Sequence, residues 1–229
     1  MLRKSLFVLG IILLLLVMQN CSSKPEQGLL ERYFHALTLN DRTTLGTMAL
    51  EPISIAAENW EIINVIDEEP QPASLPELNQ AELNLKKKVE ESVVITIEAK
   101  EEVDDAEWEL DRARTRSAKR AAQKKVDELS EKYKEIRTRH DQLQKDYSDA
   151  KTVASREEEI TAFSLGERAI PNIRDLTGEV HKKVVEVRAE TEAGPKSYNF
   201  YLRQYNLRDE NLNLNRRGRW VIIKIESVG

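Results

Sequence analysis

The chain has one cysteine, three histidines and four phenylalanines among 229 residues. A lone cysteine excludes an internal disulfide and any Cys-based metal cluster. The three histidines, His35, His140 and His181, show no HxxxH or HxxE spacing, so no paired-histidine metal site is legible. Nucleophile-elbow, P-loop and dinucleotide fingerprints are absent, which leaves no motif for an enzyme and implies no cofactor. Excess positive charge is missing too. The net charge of −5 gives no global reason to expect a nucleic-acid partner. Glycine and proline are scarce, at 8 and 7, and neither occurs between Pro76 and Gly166. A gap of that length in the two strongest helix breakers predicts long helices. The 33% of charged residues against 40% hydrophobic also fits a chain with a long solvated helix. The length suits one domain or two small ones.

Residues 1–21 read as an export signal. Arg3 and Lys4 form a basic start, and Leu6 to Met18 is an apolar run of 13 residues. A membrane-crossing helix needs ~20, so the run fits a signal core better than a span. Cys21, Ser22 and Ser23 follow. This pattern resembles the bacterial lipoprotein signal, in which the cysteine is acylated and becomes the mature N-terminus. Asn20 and Met18 stand where that signal has a small residue and usually a leucine, so an uncleaved signal anchor is the alternative, and a structural cysteine in a cytosolic chain is a third. The resemblance implies a lipid-anchored envelope protein facing the periplasm. Ser22, in place of an acidic residue, resembles the sorting pattern for the outer membrane.

The next segment, 28–72, predicts two helices and a strand. Leu29, Leu30, Tyr33, Phe34 and Leu37 form one apolar helical face. Asp41 is an N-cap candidate for a second helix ending near Leu50. Trp60 to Asp67 reads as a strand closed by Pro70 and Pro72. Residues 168–229 predict three antiparallel strands. Val185, Val187 and Ala189 share one face of the first, and Tyr198, Phe200 and Leu202 share one face of the second. Residues 213–218 read as a loop, and the last strand, Trp220 to Glu226, places Val221, Ile223 and Ile225 on one face.

Between these pieces, 76–163 predicts a coiled-coil hairpin. One heptad seam runs from Ala122 through Val126, Leu129, Tyr133, Ile136, His140, Leu143, Tyr147 and Ala150 to Ala154. A weaker seam runs from Leu85 through Val89, Ser92, Thr96, Ala99, Val103, Ala106 and Leu110 to Ala113. The seams change phase across 117–121, which predicts a fold-back there with arms of ~40 residues, each ~60 Å long, in preference to the alternative of one helix of ~90 residues, which would part the flanking β-regions. Ser92 to Glu98 has strong β-propensity, so a strand competes with helix locally. His140 sits at a heptad core position, where a polar register-setting role is the simpler reading.

The fold class is therefore α+β, a small antiparallel sheet packed on N-terminal helices with a long helical hairpin inserted. Tyr33-Phe-His-Ala-Leu37 followed by Asn40-Asp41, together with Gly218-Arg-Trp-Val-Ile222, resembles the opening helix and closing strand of nuclear-transport-factor-like (cystatin-like α+β) domains. The resemblance covers ~110 residues in two segments, and the hairpin departs from the family pattern. It implies a cone-shaped sheet; His35 is most simply a surface histidine, and the sharper reading has it face that cavity, where Asp41 is a candidate partner for general-base chemistry. Family members include enzymes, small-molecule binders and domains without activity, so the fold does not select among functions.

The most distinctive charge pattern lies at the predicted hairpin tip. Acids dominate 101–111, whereas Arg112, Arg114, Arg116, Lys119, Arg120, Lys124 and Lys125 crowd 112–125 with no acid among them. Intra-hairpin ion pairs explain this simply. The sharper reading is a contact for an anionic partner, whether a protein, lipid headgroups or another envelope polyanion. Trp108 is either an interfacial anchor beside that run or a packing partner of Tyr133. The leading expectation is a membrane-tethered binding or scaffold module that works through its arm and is able to self-associate along it. A small-molecule pocket in the α+β domain and a transport-adaptor subunit are the alternatives.

Overall fold

A computed structural model describes residues 24–166 and 169–228. The export segment and Cys21 lie outside them. No helix among the described residues is long and apolar enough to cross a membrane. The chain is α+β and divides into two units, an α+β unit and a helical one.

In the α+β unit, α1 (Pro25–Thr38) carries proline in its first turn, where the missing N–H costs no hydrogen bond. It buries Leu29, Leu30, Tyr33 and Phe34. Asn40, at φ 52°, follows α1 and keeps it from continuing. Asp41 then caps α2 (Arg42–Met48) by accepting from the Thr44 amide at 3.0 Å and from its hydroxyl. Those Thr44 hydrogen bonds hold the Asp41 carboxyl below its ordinary range.

Six antiparallel strands form one sheet. β1 (Asn59–Asp67) and the two-residue β2 (Gln71–Pro72) both pair with β3 (Thr177–Thr191). β3 pairs along its whole length with β4 (Gly194–Asp209), which pairs in turn with β5 (Leu214–Arg217) and β6 (Val221–Val228). Strands before and after the insertion thus share one sheet. The predicted loop at 213–218 is instead largely β5, paired to residues 206–209 of β4.

The predicted inner face of the last strand also needs correcting. A bulge between Tyr201 and Leu202 skips Ile223, so Ile222 faces Leu202 and Ile225 faces Phe200. One extra residue inverts the alternation beyond it, which brings Ile222 rather than Ile223 into the core.

The core between α1 and the sheet is aromatic. Tyr33 meets Phe200 edge-on at 5.6 Å, and Phe34 stacks on Trp60 at 4.7 Å. Val185, Val187 and Ala189 are fully buried beneath them, as their alternation predicts. The Tyr33 hydroxyl donates to the Ile53 carbonyl and accepts from the Ile53 amide.

The α+β unit also contains Ile160–Ile170, including the last turn of the second long helix. Ser164 fastens that turn. Its hydroxyl donates to the Arg219 carbonyl at 2.8 Å and accepts from the Tyr205 amide at 3.3 Å, and its own carbonyl accepts from the Arg219 amide. A Cβ at residue 218 would come within 2.3 Å of the Ser164 Oγ and 3.0 Å of the Tyr205 carbonyl. Gly218 is what allows this close approach.

The helical unit is a hairpin. α3 (Leu75–Arg112, 38 residues) and α4 (Arg116–Leu165, 50 residues) are joined by Ala113–Thr115. The turn comes a few residues before the predicted phase break. Its position follows from Thr115, whose hydroxyl accepts from the Ala118 amide and so starts α4. Residues 92–98 are helical throughout, which resolves the local conflict with β-propensity. Both predicted seams are the buried or half-buried positions of their helices, from Leu85 to Ala113 and from Ala122 to Ala154. Pro171–Leu176 belongs to this unit, and its short 3-10 turn, Ile173–Asp175, closes the open end of the hairpin.

Candidate functional site

Helical geometry separates the seven cations proposed for the tip into two groups. Three are engaged within the hairpin. Arg112 lies over the Trp108 ring, 3.3 Å from its centroid. Lys125 reaches Glu109 across the arms at 2.7 Å, and Lys124 sits 3.5 Å from Glu128 one turn along α4. Farther down, Lys132 pairs with Glu102 at 2.9 Å. These cross-arm pairs set a register that places Tyr133 opposite residue 100, two turns from Trp108. Trp108 therefore carries Arg112 and stays 55% exposed, and the predicted contact with Tyr133 is replaced by this one.

The other four, Arg114, Arg116, Lys119 and Arg120, are exposed. None has an acidic partner among the described residues. Arg114 lies in the turn, and the rest occupy the first turns of α4. Placing cations at a helix N-terminus opposes the macrodipole, so this arrangement costs local stability and brings no ion pair in return. Four exposed positive charges without an acidic partner thus stand from Arg114 to Arg120.

Midway along the arms, His140 joins the two helices. Its Nδ1 is 2.7 Å from the Ser92 Oγ, and its Nε2 is 2.8 Å from the Gln144 amide nitrogen. The Ser92 hydroxyl donates to the Val89 carbonyl at 2.7 Å. Donor accounting then places the imidazole proton on Nδ1, with Nε2 accepting from Gln144. Both ring nitrogens are engaged: the Ser92 contact crosses between the arms and fixes their register, and the Gln144 contact lies within α4. Beside them lies a groove of about 340 Å³ that includes Ile95, Ile136 and Leu143. No cluster of three potential metal ligands occurs among the described residues.

In the α+β unit, His35 is exposed, and Asp41 is committed to capping α2. The two are not hydrogen-bonded to each other, so the general-base alternative has no pair behind it, and His35 is the surface histidine of the simpler reading. Tyr33, Phe34 and Phe200 fill the space between α1 and the sheet. An open groove of about 490 Å³ runs along the start of α1, with Lys24, Arg32, Arg219 and Trp220 on its walls. Individual basic residues spread over two segments gave the sequence reading no signal for it.

No protein-family model matches the chain, and no curated protein or solved structure does either.

Proposed function

We propose that this chain is a lipid-tethered envelope protein whose α+β domain, of nuclear-transport-factor-like type, carries a helical arm that binds an anionic partner through Arg114, Arg116, Lys119 and Arg120. The observation that carries this reading is the unpaired cationic tip. Elsewhere along the hairpin, Lys86, Lys87, Lys125 and Lys132 pair with acids on their own or the facing helix, and the unpaired Lys88, Arg137, Arg139, Lys145 and Lys151 are dispersed among acids, whereas four unpaired cations crowd the tip with no acid between them. At the tip the last four are left free where a binding partner would have full access.

Replacing those four residues by glutamate is expected to weaken capture of the tip's partner by roughly tenfold or more, since each basic group near an anionic surface contributes ~1 kcal/mol. Photocrosslinking in cells from Ser117, which lies among them and is exposed, measures this. Unchanged crosslinks in the charge-reversed variant would dismiss the role of the tip.

Support for the tether comes from the apolar run of residues 6–18, which Cys21 closely follows, and from the basic groove that begins at Lys24. Three residues reach at most ~10 Å, so acylation at Cys21 would hold Lys24, Arg32 and Trp220 at headgroup level, where basic and tryptophan side chains are favoured. Cys21→Ser is expected to leave the signal uncleaved and remove the acyl mass from the N-terminus, read by intact-mass analysis after membrane extraction. An N-terminal mass identical in the two proteins would exclude acylation and leave the signal-anchor alternative.

A further inference from the structure

The outer face of α3 is a second seam. Leu83, Val94, Ile97 and Trp108 are 50%, 56%, 53% and 55% exposed. Leu83 and Val94 are eleven residues apart, as are Ile97 and Trp108, and that interval returns to within ~20° on an α-helix. Val103, buried in the hairpin seam, is nine residues from Val94 and therefore half a turn round the helix. The exposed stripe thus points away from α4. Lys87, Glu90, Glu101 and Asp104 fill its remaining heptad positions. β-Branched residues are poor helix formers, and polar residues would serve a solvated face better.

We infer that this face pairs with α3 of a second copy, antiparallel, about a two-fold axis between Ile95 and Thr96. In that register Val94 meets Ile97 of the second copy at the centre and Leu83 meets Trp108 at each end. Lys87 then faces Asp104 and Lys86 faces Asp105. The one like-charged layer is Glu90 with Glu101, and Glu90 has Lys86 beside it on its own helix. A parallel pair would set Lys87 on Lys87, Glu101 on Glu101 and Asp104 on Asp104. With Glu90 the one exception, Lys86 and Lys87 precede the apolar centre and Glu101, Asp104 and Asp105 follow it, and this order favours the antiparallel arrangement. This inference does not depend on the membrane reading or on the tip.

The test is oxidative crosslinking in cells that express the full chain. Leu83→Cys/Trp108→Cys is expected to give a dimer whose peptide map shows residue 83 joined to residue 108. Within one helix those sites are ~37 Å apart, so that link forms only between copies. Each single variant is expected to crosslink no more than wild type, which also controls for Cys21. Lys87→Glu is expected to weaken dimerisation of the purified full chain by roughly tenfold, and Lys87→Glu/Asp104→Lys to restore it. Both sites are exposed, and equal helical ellipticity checks the folding of the variants. Single variants that crosslink as well as the double one would overturn the antiparallel register. A full chain that stays monomeric at tens of micromolar, with no 83–108 link, would overturn the proposal and assign the stripe to a different partner.

Discussion

Arg174→Ala is expected to destabilise the helical unit by about 2–3 kcal/mol, seen as loss of helical ellipticity at lower urea. From the 3-10 turn, the guanidinium reaches Glu82 of α3 through Nη1 and Glu158 of α4 through Nε, both at 2.6 Å. The Glu82 side chain is only 11% exposed. Removing the cation leaves two converging carboxylates, one of them nearly out of water. The cost is then uncompensated charge rather than a lost surface pair, and surface pairs contribute at most ~1 kcal/mol. Arg174→Lys keeps the charge but lacks the planar fork that serves two carboxylates at once, so it should recover less than half of the loss. Arg174→Met/Glu82→Leu, which removes the buried charge together with its cation, should be more stable than Arg174→Ala alone. If the alanine variant melts within ~0.5 kcal/mol of wild type, the contact is an ordinary surface pair.

The hairpin was legible because its signal is local and repeated. Every seven residues along each arm present the same seam, so Ser92 and His140 could be placed on facing stripes without knowledge of any contact between them. The same repetition carried residues 92–98 into a helix. Ser92, Thr96 and Ala99 are in phase with their neighbours, and no breaker interrupts the run. Helix cooperativity over so long a stretch outweighs the strand preference of a few β-branched residues. The turn was harder to place, because a phase break marks only where two seams stop agreeing. Thr115 sets the start of α4 by one side-chain hydrogen bond, and capping threonines are not distinctive in a polar sequence.

What stayed hidden depends on pairs far apart in the chain. Arg174 is a solitary arginine after a proline turn, and its partner Glu82 lies 92 positions away. Gly218 looked like a loop glycine, whereas its role is set by Ser164 approaching from another element. The bulge at Tyr201 and Leu202 leaves no mark on a strand that alternates acceptably in either register. At the tip the sequence showed seven cations. Which four stay unengaged follows only from the angular positions of Trp108, Glu109 and Glu128 on their helices.

Lys183 presents the same problem in the sheet, and its replacement is the second large effect expected. Its ammonium lies 3.3 Å from the Glu26 carboxylate and 2.8 Å from that of Asp67. The side chains of Lys183 and Glu26 are 12% and 4% exposed, so the pair that joins the first turn of α1 to β3 is almost dry. Lys183→Ala strands the Glu26 carboxylate and should cost about 3 kcal/mol in urea unfolding. Lys183→Met/Glu26→Gln removes both charges at similar volume and should recover most of it. Equal losses in the single and double variants would show that the attraction within the pair, not the stranded Glu26 charge, carries the effect. The pair also sets a pH dependence. Burial draws the Lys183 pKa down, but Asp67 and Glu26 outweigh burial and leave it above the ordinary 10.5. A lysine raised in this way contributes stability that is complete below pH 10.5 and lost as pH rises through the folded value. Tyr33 acts in the same direction. Burial pushes its phenol from 10.0 up to about 12 against the opposing Ile53 hydrogen bond, so the folded state resists its ionisation and weakens between those values. The α+β unit should therefore unfold on an alkaline limb that begins near pH 10. Lys183→Met/Glu26→Gln should flatten that limb above pH 10.5, and Tyr33→Phe should remove its component between 10 and 12. An alkaline limb with the wild-type slope in both variants would assign the loss of stability to other groups.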